Sequence, residues 1–105
     1  MHLLYESKYF KIKQCDFKRC FVFETENKQV RMTCFQLLAL RNKVNSIDLE
    51  SHFDDEQNRS GLEILVFCNR EHLMILNTYQ VIDLKTFMAT AFAILERHAL
   101  PAASV

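Results

Sequence analysis

The chain carries one glycine, Gly61, and one proline, Pro101, in 105 residues, against averages of roughly 7% and 5%. Loops that cradle phosphate need several glycines, so that backbone N–H groups can approach the anion. A dinucleotide-binding fingerprint and a P-loop are therefore excluded, and a G-x-S-x-G nucleophile elbow with them. Charge of one sign is also lacking: 13 Lys and Arg balance 13 Asp and Glu. That argues against a surface built wholesale for a polyanion, while permitting a local patch. No apolar run approaches the ~18 residues of a membrane span. The opening Met-His-Leu-Leu-Tyr-Glu has neither the charged nor the long apolar region of a secretory signal,. Four cysteines (Cys15, Cys20, Cys34, Cys68) follow no dense disulfide spacing,. The expectation is a reduced, cytoplasmic protein.

What is present is apolar mass. Half the residues are hydrophobic and nine are Phe, enough for the core of one domain spanning 1–105. The most informative pattern appears when residues 21–44 are laid over 65–88 without a gap. Val22/Val66, Phe23/Phe67, Gln36/Gln80 and Leu40/Leu84 are identical, and eight further pairs are similar. Two units, about 20–50 and 62–100, read as the same strand–turn–strand–helix element. In the first, residues 20–23 and 29–32 read as strands, and Thr33 with Gln36 forms a T-x-x-Q capping box. In the second, 62–67 and 73–76 are strands, and Asn77 with Gln80 repeats the cap. Met32 and Leu37, like Leu76 and Val81, are placed as hydrophobic staples.

One further strand is expected over 9–14, and residues 51–60 read as a polar, acidic connection. The order β-β-β-α-β-β-α with short turns predicts an α+β fold. It would be a mainly antiparallel sheet of about five strands with two helices on one face. The run from Gln14-Cys15 through Leu40 resembles small uncharacterised bacterial families in which a cysteine-bearing N-terminal hairpin precedes a strand and a Thr- or Ser-capped helix. Those families tend to carry a tighter cysteine pair, where this chain has Lys18. The resemblance covers about a third of the chain and implies no activity.

Candidate chemistry falls in three places. Cys15 and Cys20 flank one hairpin turn, and Cys68 and His72 flank another. If the two units pack about a pseudo-twofold with strands 20–23 and 62–67 side by side, all four reach one edge. Thiolates and an imidazole would then suit zinc, or Cys15 and Cys20 a thiol switch. Free Cys is also an ordinary core residue. Between Lys8 and Arg19 the residues Tyr9, Lys11, Lys13, Lys18 and Arg19 mix cations with an aromatic, as single-stranded nucleic acid or another anion would require. The competing reading is an edge strand blunted by lysines. The second helix is apolar around most of its circumference. Phe87, Met88, Ala91, Phe92 and Leu95 form either a self-association surface or a face packed inside the chain. His52 beside Asp54, Asp55 and Glu56 is a common composition for an acidic loop, and no nucleophile–base pair stands out. The reading is a non-catalytic binding or interaction module, without a cofactor, that acts as a homodimer or docks on another protein. A metal- or redox-responsive domain and a weak single-stranded nucleic-acid binder are the rivals.

Overall fold

A computed structural model describes residues 2–15, 20–48 and 62–103, with side chains in the last helix described to residue 97. The fold is α+β. Four strands, β1 (His2–Glu6), β2 (Lys11–Gln14), β3 (Cys20–Glu24) and β4 (Gln29–Thr33), form an antiparallel sheet in sequence order. Helix α1 (Cys34–Asn45) follows, then a separate antiparallel ribbon of β5 (Leu62–Phe67) and β6 (His72–Asn77), then helix α2 (Thr78–Ala103).

Two differences from the sequence reading matter. First, β1 adds a strand at the chain start. It covers the outer edge of β2, so the lysine-bearing strand is internal and β1 is the edge. Second, β3 and β5 are not neighbours. β2 and β4 already occupy both edges of β3, which leaves β5 no place beside it. The single sheet about a pseudo-twofold is thus corrected to sheets of four strands and two.

Both helix starts form as their residues dictate. The Gln36 backbone N–H donates to Thr33 Oγ1 at 3.1 Å, and the Thr33 N–H to Gln36 Oε1 at 2.9 Å. At α2 the Gln80 N–H donates to Asn77 Oδ1 at 2.8 Å, and the Asn77 N–H to Gln80 Oε1 at 2.9 Å. Each box satisfies two donors that a helix start would otherwise leave unpaired. All four staple residues are buried.

Period-two alternation turns Ile12, Phe21, Phe23, Val30 and Met32 of the large sheet inward, and the ribbon contributes Leu65, Phe67, Met74 and Leu76,. Leu37, Leu40 and Val44 of α1 and Val81, Leu84, Phe87, Met88 and Ala91 of α2 complete the core,. Phe23 is its centre, with ring centroids 5.7 Å from Phe10, 5.9 Å from Phe87 and 6.4 Å from Phe67. Arg41 of α1 stacks on Phe92 of α2, 4.5 Å from the ring centroid,. Asp83 of α2 holds the β1–β2 turn: its Oδ2 accepts from Ser7 Oγ at 2.6 Å and the Tyr9 N–H at 3.2 Å. No helix among the described residues is long and apolar enough to cross a membrane.

Candidate functional site

The outer faces of the two sheets differ in kind. On the large sheet, Lys13, Val22 and Arg31 stand in register across three strands, as do Lys11, Glu24 and Gln29. Val22 is buried, between two cationic neighbours in the register. Lys13 Nζ lies 3.2 Å from Glu24 Oε2, Lys11 Nζ lies 3.5 Å from Glu6 Oε2, and Gln29 donates to the other oxygen of Glu24. The Lys13 hydrogen bond, helped by Gln29, holds the Glu24 carboxyl below its ordinary pKa against the opposing push of burial,. This face is largely polar, its two lysines and Glu24 tied into one network, with Leu3 exposed on β1.

The ribbon's outer face is not. Leu62, Ile64 and Val66 of β5 lie opposite Asn77, Ile75 and Leu73 of β6. No side chain on this face is charged. Ile64 and Ile75 are 60% and 57% exposed, Leu62 and Leu73 46% and 47%, with Val66 half-buried. Together the four exposed residues present on the order of 400 Å² of apolar surface, the size of the largest patch on a typical monomer, which is often functional. The apolar run of β5 is of the kind that suits a strand covered on both faces. The structure covers β3 in that way and leaves β5 open on one side.

The edges of the ribbon are guarded. Lys28 Nζ donates to the Leu73 carbonyl at 3.1 Å, and Lys43 Nζ donates to the Val66 carbonyl. Lysine on a strand edge is a common obstacle to edge-to-edge pairing. The turn joining the strands is strained: Cys68, Asn69 and Arg70 have φ of 55°, 58° and 69°, a left-handed conformation that glycine adopts freely and other residues at a cost.

The candidate zinc ligands are not brought together. Cys15 and Cys20 are joined as a disulfide, with Cα atoms 5.6 Å apart, which corrects the expectation of four reduced cysteines. The cross-strand closeness of this pair is as the hairpin spacing implied. Cys68 and His72 belong to the other sheet. Cys68 is buried, and burial with nearby Glu71 pushes its thiol pKa up, away from the thiolate a metal requires,. His72 packs on Phe67, ring centroids 5.7 Å apart. Among the described residues no three His, Cys, Asp or Glu side chains gather where a metal could sit.

Of the basic and aromatic set, Lys11 and Lys13 are engaged in the ion pairs above. Tyr9 is half-buried against the core with Lys8 Nζ 5.3 Å from its ring centroid. Lys18 and Arg19 lie outside the described residues, as do the acidic connection and His52. Of the proposed self-association residues, Phe87, Met88, Ala91 and Phe92 are buried within the chain, and Leu95 packs partly against the same core. That expectation is corrected: both sheets and α1 cover this face of α2. Sequence reasoning did not single out Ile64, Ile75, Leu62 or Leu73. The available signal was the apolar run at consecutive positions 64–67.

No protein-family model, curated protein or solved structure matches the chain.

Proposed function

We propose that the protein is a non-catalytic interaction module that works as a homodimer, joined through the outer face of the β5–β6 ribbon. The observation that carries this reading is the uncharged aliphatic face of Leu62, Ile64, Leu73 and Ile75. An isologous contact requires a surface complementary to itself, and a neutral apolar patch meets that condition without pairing like charges. The chain's formal net charge of zero at pH 7 adds no repulsion between copies,. Guarded edges favour contact through the face over a continuous sheet.

The area sets the strength. About 400 Å² per copy is half of what a standard stable interface buries, roughly 800 Å² per partner. The expected dimer is therefore weak and concentration-dependent. Sedimentation velocity over a range of loading concentrations tests it. The wild-type chain should move from monomer to dimer, and Ile75→Glu, at a site already 57% exposed, should remain a folded monomer. A wild-type chain that stays monomeric at roughly millimolar concentration, or an Ile75→Glu chain that dimerises equally well, defeats the reading.

A further inference from the structure

The two units set a helix start against a hairpin turn twice. In the repeat alignment, Gln36, Asn69 and Arg70 have Gln80, Thr25 and Glu26 as their counterparts. Each trio lines one groove. The first lies between α1 and the β5–β6 turn, the second between α2 and the β3–β4 turn. The second is narrowed from within the chain: Tyr9 and Phe10 form part of its wall, and a space of only about 120 Å³ is left. No described residue plays their part in the first, whose volume is about 620 Å³. That lies within the roughly 300–1,000 Å³ of ligand sites.

The floor of this larger groove is apolar, with Leu40 and Phe67 buried. Phe35 stands at its wall with 82% of its surface exposed, and the exposed Ala39 beside it adds little bulk. Among the described residues that line it, none is a carboxylate and two are cations. Lys43 is already donated to the Val66 carbonyl. The open charge is therefore Arg70, whose exposed guanidinium engages no other described residue. Its counterpart is Glu26, so the sign of the charge is inverted at this point of the repeat. Arg70, with Cys68 and Asn69, also keeps a left-handed backbone that glycine would take freely,. Strain of this kind collects at binding sites, where the surrounding structure maintains it.

We infer that the groove binds a small aromatic carboxylate, its ring between Phe35 and the floor of Leu40 and Phe67 and its anion on Arg70. One free guanidinium matches one carboxylate, which its parallel N–H groups can hold bidentately. An aromatic body follows from the counterpart groove, where Tyr9 and Phe10 stand, and from the exposed ring of Phe35,. The site is separate from the dimer face. Phe67 turns into the core, while Ile64 and Ile75 turn outward.

The probe is cinnamate, titrated into the full isotope-labelled chain, with cinnamamide and acetate as the uncharged and ringless controls. Saturable amide shifts at 33–43 and 67–70 are expected for cinnamate alone. Arg70→Gln should weaken binding by roughly tenfold or more, the worth of a charge-assisted contact. Ala39→Leu adds bulk to the groove from an exposed helix position, so it should block binding in a chain that still folds,. Ile75→Glu should bind as the wild type does, so the fate of this site is read separately from that of the dimer. The inference is overturned by the absence of saturable binding, by equal binding of cinnamamide, by shifts confined to the ribbon's outer face, or by wild-type affinity in either Arg70→Gln or Ala39→Leu.

Discussion

Glu24 shows how a single side chain ties the outer face of the large sheet to pH. Its carboxylate is held by Lys13 and Gln29, and its folded pKa lies below the ordinary 4.5. A carboxyl with a depressed folded pKa contributes stability that is fully present above its unfolded pKa. That contribution is lost as pH falls through the folded value. Thermal melts from pH 6 downward should accordingly show a loss beginning near 4.5, and Glu24→Gln should flatten that part of the profile. An unchanged slope in the variant would assign the acid sensitivity to other carboxylates. The same residue explains why the cations and aromatic of Tyr9, Lys11 and Lys13 were legible while their engagement was not. Alternation along a strand reveals which residues share a side. It does not reveal that Glu6 and Glu24 on neighbouring strands pair with the lysines.

At the scale of elements, helix starts were the most legible features, because a capping box is written within four residues and needs nothing distant. Thr33 with Gln36 and Asn77 with Gln80 form as their spacing implies. β1 was missed for the opposite reason. Its five residues form a strand only because β2 offers an edge and Tyr5 packs on Phe87, ring centroids 5.5 Å apart. The β5–β6 turn was placed correctly, but its conformation was hidden. Nothing in Cys-Asn-Arg announces three consecutive left-handed residues. Such strain costs roughly 1–2 kcal/mol per non-glycine residue. Arg70→Gly relieves one position, offset in part by added unfolded-state entropy, so a gain of about 1 kcal/mol is expected. Thermal or urea unfolding measures it. A loss of stability would mean that the Arg70 side chain makes a contribution larger than its strain.

For the molecule as a whole, the α+β class and the element order after β1 were legible because periodicity and turn chemistry are local. The division into two sheets was not. Which strand edges are filled depends on β2 and β4 taking both places beside β3, and the quasi-repeat alone favours one joined sheet. That division leaves a two-stranded ribbon with an apolar outer face, an arrangement marginal by itself in water and stabilised here by Phe67, Leu65, Met74 and Leu76 packed against the helices,. Covering the outer face with a second copy would stabilise the folded state by mass action, since the unfolded chain presents no such face. The melting temperature of the wild-type chain should therefore rise with protein concentration. For a domain of this size, each 1 kcal/mol of linkage corresponds to roughly 4–8 °C. Ile75→Glu should melt at one temperature at every concentration, equal to the dilute limit of the wild type apart from any intrinsic effect of the substitution. A melting temperature independent of concentration in both chains would show that the ribbon is stable with its aliphatic face in water, and would leave that face to a partner other than a second copy.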